Sequence, residues 1–399
     1  MLTSLALIFL VGLGLASICQ AVRLPRIIGM LLTGIVLGHF VLDLFDPSIL
    51  GISADLRQMA LVIILIKAGL SLDLGDLKRV GRPAVLMSFL PAIFEIAAFL
   101  LFAPAVLGVN RIEAAVMGAV LGAVSPAVVV PRMVSLMEEG YGTKKSIPQM
   151  ILAGASLDDV FVIVLFTTFV GMAQGDGVHV MSFVNIPISI VLGIALGAVV
   201  GLFLSWFFET RYSRQCLVRN SMKTIIVLGT SFVLLAIEEA LEGTVAVSGL
   251  LAIMSMAMVL AMKSVPEVVS RLQEKYGKLW LAAEVILFVL VGAAVDIRYT
   301  LEAGLGAVGM ILIGLLFRSV GVWLCMIGTG LNTRERLYCV IAYLPKATVQ
   351  AAIGSVPLSL GLPCGKLVLS VAVLSILITA PLGAIGMDTT YRKLLEKEE

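Results

Sequence analysis

Residues 118–134 read GAVLGAVSPAVVVPRMV. The run is apolar enough to lie within a bilayer, yet Pro126 removes a backbone donor directly after Ser125, in the middle of what otherwise reads as one helix. One proline in a membrane helix commonly makes no more than a kink. A second stretch, residues 341–357, reads IAYLPKATVQAAIGSVP, with Pro345 followed at once by Lys346 and then by Thr348. Two such interruptions in one chain predict two discontinuous helices.

The rest of the chain says what surrounds them. Of 399 residues, 60% are hydrophobic and 14% charged, and the mean hydropathy is +1.10. No ordinary soluble domain approaches these values, so the chain is expected to be an all-α polytopic membrane protein, a single integral unit over 1–399. The first apolar run is followed, not preceded, by Arg23 and Arg26, so it is expected to be a retained span. The five cysteines, Cys19, Cys216, Cys325, Cys339 and Cys364, show no paired spacing and no nearby histidines, which predicts free thiols. Net charge +2 and two histidines give no sign of a nucleic-acid partner or a histidine metal site. Glycines spaced like a nucleotide fingerprint lie within spans and read as helix packing, so no cofactor is expected. No nucleophile with a base is evident, so neither is an enzyme.

Hydropathy places about thirteen spans near 2–22, 27–42, 57–72, 83–108, 112–137, 147–173, 183–208, 224–241, 246–262, 279–295, 303–327, 337–361 and 365–387. Assigning alternate connections to the cytoplasm collects most of the 28 Lys and Arg residues there and leaves only Arg57, Arg111, Arg298 and Lys366 opposite. That asymmetry predicts an outside N terminus and a cytoplasmic C terminus. Lys67, Arg132, Arg318 and Lys346 fall inside spans, as do Glu95, Asp158, Asp159 and Glu284. Charges in hydrocarbon are costly and point to a polar interior pathway. Lys67, Arg132 and Glu284 lie toward span ends, where a long side chain can reach the interface. The segment Lys263 to Lys278 reads as an interfacial connecting helix and the tail YRKLLEKEE as solvated.

Glu95, Ser125, Asp158, Asp159, Arg318 and Lys346 all fall near span centres. The triplet of spans carrying Glu95, the Ser125–Pro126 break and the aspartates recurs seven spans later as the triplet carrying Arg318, the Pro345–Lys346 break and SILITAPLG. An odd offset turns each helix against its counterpart, the arrangement of an inverted repeat with discontinuous helices crossing at the midplane. Lys346 is placed to neutralise carbonyl ends at such a crossing, and the unwound backbone is where an ion would bind. This predicts a secondary transporter.

Within LAGASLDDVFVIVLF, residues 152–166, the adjacent aspartates are turned about 100° apart on a helix, so they need different partners. One can face an ion cavity, with Ser156 adding a hydroxyl, while the other meets a basic residue. Desolvation and a neighbouring like charge favour a protonated acid and a cation favours the carboxylate, so an acid balanced between them can trade a proton for a hard monovalent cation. Glu95 with Arg318 also fits a buried ion pair that fixes packing.

GASLDDVF, GLLFRSVGVWL and YLPKATVQAAIGS, with SPAVVVPRMV, together resemble the cation/proton antiporter superfamily. The likeness runs from GLSLDL at Gly69 to the last span, and is to the paired-aspartate branch, which holds bacterial sodium/proton antiporters and sodium/hydrogen exchangers with a B-type antiporter domain. The resemblance implies a homodimer in a bacterial inner membrane, serving pH homeostasis and sodium tolerance. It implies an ion-translocating core of helices within about 83–173 and 303–387, a dimerisation scaffold within about 2–72 and 224–295, and a linker helix near 183–208. It also implies that Asp159 binds sodium or lithium and carries the proton, while Asp158 pairs with the basic residue at Arg318. The bacterial pattern has lysine there, and an arginine does not give up its proton. Arg318 could pair with Glu95 or with Asp158, and the stoichiometry stays open. The expected function is sodium or lithium exchange for protons by alternating access; the alternative is a proton-coupled symporter of a small organic anion, clamped by Arg318 or Lys346.

Overall fold

The computed structural model describes residues 1–22, 24–71, 81–174, 180–213, 219–241, 247–296 and 304–398. Arg23, Lys78, Arg79, Arg214, Arg298, Cys216, the second half of the GLSLDL motif and the side chain of Ser156 lie outside the described residues. The helices are α1 (Leu2–Ala21), α2 (Arg26–Leu37), α3 (Pro47–Gly51), α4 (Ser53–Ser71), α5 (Arg82–Met87), α6 (Leu90–Leu107), α7 (Arg111–Leu121), α8 (Pro126–Glu139) and α9 (Ile147–Ala173). They continue with α10 (Val180–Ser213), α11 (Asn220–Leu241), α12 (Gly249–Lys263), α13 (Pro266–Ala293), α14 (Gly304–Cys325), α15 (Thr333–Ala342), α16 (Thr348–Gly354), α17 (Val356–Ser359) and α18 (Gly365–Leu394). Eight segments among the described residues are long and apolar enough to cross a bilayer, and Arg26–Leu37 and Gly249–Lys263 are shorter apolar helices. The chain is an integral membrane protein built of helices.

Both predicted interruptions are present. α7 stops at Leu121 and α8 starts at Pro126; α15 stops at Ala342 and α16 starts at Thr348. Proline at the start of α8 costs no hydrogen bond, because the first amides of a helix have no intrahelical partner. The first half of each interrupted helix opens on the same device. Asn110 accepts from the Glu113 amide while Glu113 accepts from the Asn110 amide, each at 2.9 Å, and Asn332 with Glu335 repeats the arrangement at 2.9 and 2.8 Å. Such reciprocal caps nucleate two short helices that length alone would leave marginal.

The chain divides into two compact units. The first comprises Met1–Arg57, Asp73–Ala173 and Val285–Glu399. In it α14 lies along α6 with backbones close together: a methyl added at Gly321 would stand 2.9 Å from the Cα of Pro91. The second comprises Gln58–Leu72 and Gln174–Glu284. There Gly193, Gly197 and Gly201 line one face of α10 at four-residue spacing and meet the backbone of α12 at Ser248, Ala252 and Met256. Small residues at that spacing let membrane helices pack in close contact. Ser255 Oγ adds a hydrogen bond to the Ile194 carbonyl at 3.0 Å.

One expectation changes and two gain detail. The connecting segment after Lys263 is not a separate helix, because α13 runs unbroken from Pro266 to Ala293; proline is accommodated at its first position and the next 25 residues hold no other helix breaker than Gly277. Arg132 gains a partner: Nε and Nη2 meet both carboxylate oxygens of the exposed Asp388, at 2.8 and 3.0 Å. The tail keeps its described charged side chains exposed, as expected, but its backbone is docked. Gly142 donates to the Glu396 carbonyl and Glu398 donates to the Gly140 carbonyl, both at 2.8 Å, while the Tyr141 and Tyr391 rings stack edge to face at 5.0 Å. The turn between α8 and α9 thus borrows a strand-like partner from the end of α18, and Lys145 beside it reaches the carboxylate of Glu335 at 2.9 Å.

Candidate functional site

The two interruptions meet. The Ser125 amide donates to the Pro345 carbonyl at 2.8 Å, and Gly383 of α18 lets the Pro345 ring sit directly on its backbone. A helix that stops inside a protein leaves its last carbonyls without partners, carrying a partial negative charge. Here Leu121 O accepts from Lys346 Nζ, Gly122 O accepts from Arg318 Nη1, and Ala123 O accepts from Gln350 Nε2 at 2.9 Å. Across the crossing, Tyr343 O accepts from Arg318 Nε at 2.8 Å, and the Lys346 amide donates to Thr379 Oγ1 at 2.9 Å. The unwound carbonyls of residues 121–123 are therefore held by protein donors, in contrast to the expectation that the break backbone stands ready for an ion. The reason is that a cationic or amide side chain already satisfies each of them.

The charges form one buried network. Arg318, Glu95, Asp158 and Lys346 are all fully buried. Arg318 reaches both acids, Nη1 to Glu95 Oε2 at 3.1 Å and Nη2 to Asp158 Oδ2 at 3.0 Å, because its planar fork presents separate N–H groups in different directions. Lys346 Nζ straddles the other side of Glu95, 2.7 Å from Oε1 and 2.8 Å from Oε2. Asp158 Oδ2 also accepts the Val124 amide at 2.8 Å, which ties α9 to the first break.

Among the buried oxygens with no hydrogen-bond partner among the described residues are Asp158 Oδ1, Asp159 Oδ1, Ser125 Oγ and Thr348 Oγ1, along with the Tyr343 hydroxyl. Asp159 is 6% exposed, whereas Asp158 is sealed. Buried polar atoms are usually satisfied, and the first four lie on the aspartate pair and at the two breaks, oxygens of the type that takes a proton or a hard cation. Pro126 and Pro345 shape the breaks and contribute no oxygen of this kind from their side chains.

Gln350, Thr379 and Tyr343 went unread in the sequence. A glutamine inside the apolar run TVQAAIG was the available signal for the first. Tyr343 packs under the Arg318 guanidinium, 5.6 Å from ring centre to carbon, and its hydroxyl, without a partner among the described residues, presses on Gly154 of α9. Gly154→Ala is expected to lower the melting temperature of the purified protein, by overpacking of about 1–3 kcal/mol. Adding Tyr343→Phe should recover part of that loss; an unchanged melt for Gly154→Ala would show that the ring yields freely.

Comparison with known proteins agrees with this fold. The family model "Sodium/hydrogen exchanger, transmembrane" matches residues 5–392. Human sodium/hydrogen exchanger 9B2 is 35% identical over 397 residues, covering 97% of this chain and 73% of the relative. Human sodium/hydrogen exchanger 9B1 is 32% identical over 390 residues, covering 94% and 73%. Among solved structures, the sodium proton antiporter MjNhaP1 from Methanocaldococcus jannaschii at pH 8 superposes with a TM-score of 0.81 at 20% identity, covering 98% of each chain.

Proposed function

The chain belongs to the sodium/hydrogen exchanger family, and from that premise we propose that it exchanges sodium or lithium for protons, with Asp159 as the group that holds one or the other. The observation that carries this reading is the contrast between the two aspartates: Asp158 accepts from Arg318 and Val124, while Asp159 Oδ1 accepts from nothing among the described residues. Asp158 Oδ1, Ser125 Oγ and Thr348 Oγ1 complete the oxygen set for the cation; Ser156 is a further candidate by its place on α9. Glu95, Arg318 and Lys346 form the charge network that keeps the crossing together.

The transport cycle follows from those roles. With the site open to one face of the membrane, a sodium ion displaces the proton of Asp159. Movement of the core, helices within about 83–173 and 303–387, against a dimerisation scaffold within about 2–72 and 224–295 then carries the loaded site to the other face, with residues 183–208 as linker. The basic connections orient the chain with about thirteen spans, the N terminus outside and the C terminus cytoplasmic. The homodimer, the bacterial inner membrane and roles in pH homeostasis and sodium tolerance rest on the family resemblance, and the two relatives named above are human proteins.

Arg318 holds Asp158 as well as Glu95, and a guanidinium keeps its proton. One titrating acid then trades one proton for one cation. In proteoliposomes with an imposed pH gradient, sodium or lithium should drive proton release at a rate that a membrane-potential clamp leaves unchanged. A rate that follows the clamp would mean that a second proton moves. Proton uptake driven by small organic anions, with no sodium effect, would favour the symporter instead; its clamp needs Arg318 or Lys346 free, and both are engaged by carboxylates.

A further inference from the structure

The three capped carbonyls at the end of α7 take donors of unequal character. Lys346 and Arg318 carry charges that Glu95 and Asp158 balance, so ion pairing accounts for their presence. Gln350 is neutral, fully buried, and has no such account. Its carboxamide uses both ends: Nε2 donates to Ala123 O at 2.9 Å and Oε1 accepts the Ala347 amide at 2.8 Å. One side chain therefore ties residue 123 of the first interruption to residue 347 of the second. Each tie sits beside a hydroxyl with no partner among the described residues, Ser125 two residues beyond Ala123 and Thr348 next to Ala347.

We infer that Gln350 is a positioning residue that sets which alkali cation the site accepts, by withholding the Ala123 carbonyl from the ion and fixing the spacing of the Ser125 and Thr348 hydroxyls. The inference rests on the cation site proposed at Asp159. Oxygen type and number decide alkali selectivity: carboxylates present a strong field to a small ion, whereas each added carbonyl raises the ligand count with a weaker dipole and favours a larger, more weakly hydrated one. With Ala123 O capped, the site is left to two carboxylates and two hydroxyls, a set suited to sodium or lithium. With the cap removed, a buried carbonyl lacks a donor, and turning to the cation is the cheapest way to satisfy it.

Two variants separate this from a merely structural role. Gln350→Met loses both hydrogen bonds. Gln350→Asn stays neutral but is one methylene shorter, so its carboxamide cannot reach Ala123 O and the Ala347 amide together. The probes are sodium and potassium chloride in proteoliposome exchange. Both variants are expected to lower the ratio of potassium KM to sodium KM by about fivefold, whatever happens to the maximal rate. An unchanged ratio in Gln350→Met would reduce Gln350 to a cap on α16 and overturn the inference, as would a parallel rise of both KM values in the two variants. If the parent protein shows no sodium-dependent proton flux, it is the reading at Asp159 that fails; if the parent exchanges normally and the ratio stays put, only the selectivity role falls.

Discussion

Asp159→Asn is expected to reduce sodium-driven proton flux to the leak of protein-free vesicles, with little change in the melting temperature. Asparagine keeps the size of the side chain but neither binds a proton at neutral pH nor carries the charge that a cation needs. The fold should not notice, because Asp159 Oδ1 accepts no hydrogen bond among the described residues. Asp158→Asn should behave differently. That change removes the partner of Arg318 Nη2 and of the Val124 amide, so stability and transport should fall together. Normal sodium-dependent flux in Asp159→Asn, measured with a pH-sensitive dye inside the vesicles, would remove that residue from the transport step.

Arg318→Met should produce the largest loss of stability of any single change at the crossing. It leaves the Asp158 carboxylate without its cation and takes donors from the Gly122 and Tyr343 carbonyls. Breaking a buried ion pair on one side costs about 3–5 kcal/mol, which in a chain of 399 residues puts the drop in melting temperature at about 5 °C. Arg318→Lys should fall between the two, since it keeps a charge and loses the fork. The network also predicts which second change compensates. Asp158→Asn should restore part of the stability of Arg318→Met, because it removes the orphaned charge. Glu95→Gln should not, because Lys346 already neutralises Glu95 and would itself be orphaned. Equal rescue by both changes, or an Arg318→Met protein as stable as its parent, would mean that the network is not organised around the guanidinium.

Much of this was legible in the chain before any coordinates. Hydropathy made it a membrane protein, and Pro126 and Pro345 marked the places where helices stop. The adjacency of Asp158 and Asp159 required different partners for them, since successive helical residues point apart. The repeated caps, Asn110 with Glu113 and Asn332 with Glu335, were equally readable as local signals, and they announce the interrupted helices as a pair. The docked tail was not readable, because a short charged segment looks solvated until a turn such as residues 140–143 offers it backbone partners.

The sequence by itself determined where helices form and break, because burial in a bilayer, proline and capping chemistry act within a few residues. Only the tertiary structure decided which donor meets which acceptor. Gln350 finds Ala123 across 227 residues of chain, Arg318 finds Gly122 across 196, and Lys346 finds Glu95 across 251. Those partners are chosen by the crossing of two half-helices, whose exposed carbonyls take whatever donors the fold brings within reach, and no local pattern encodes that meeting.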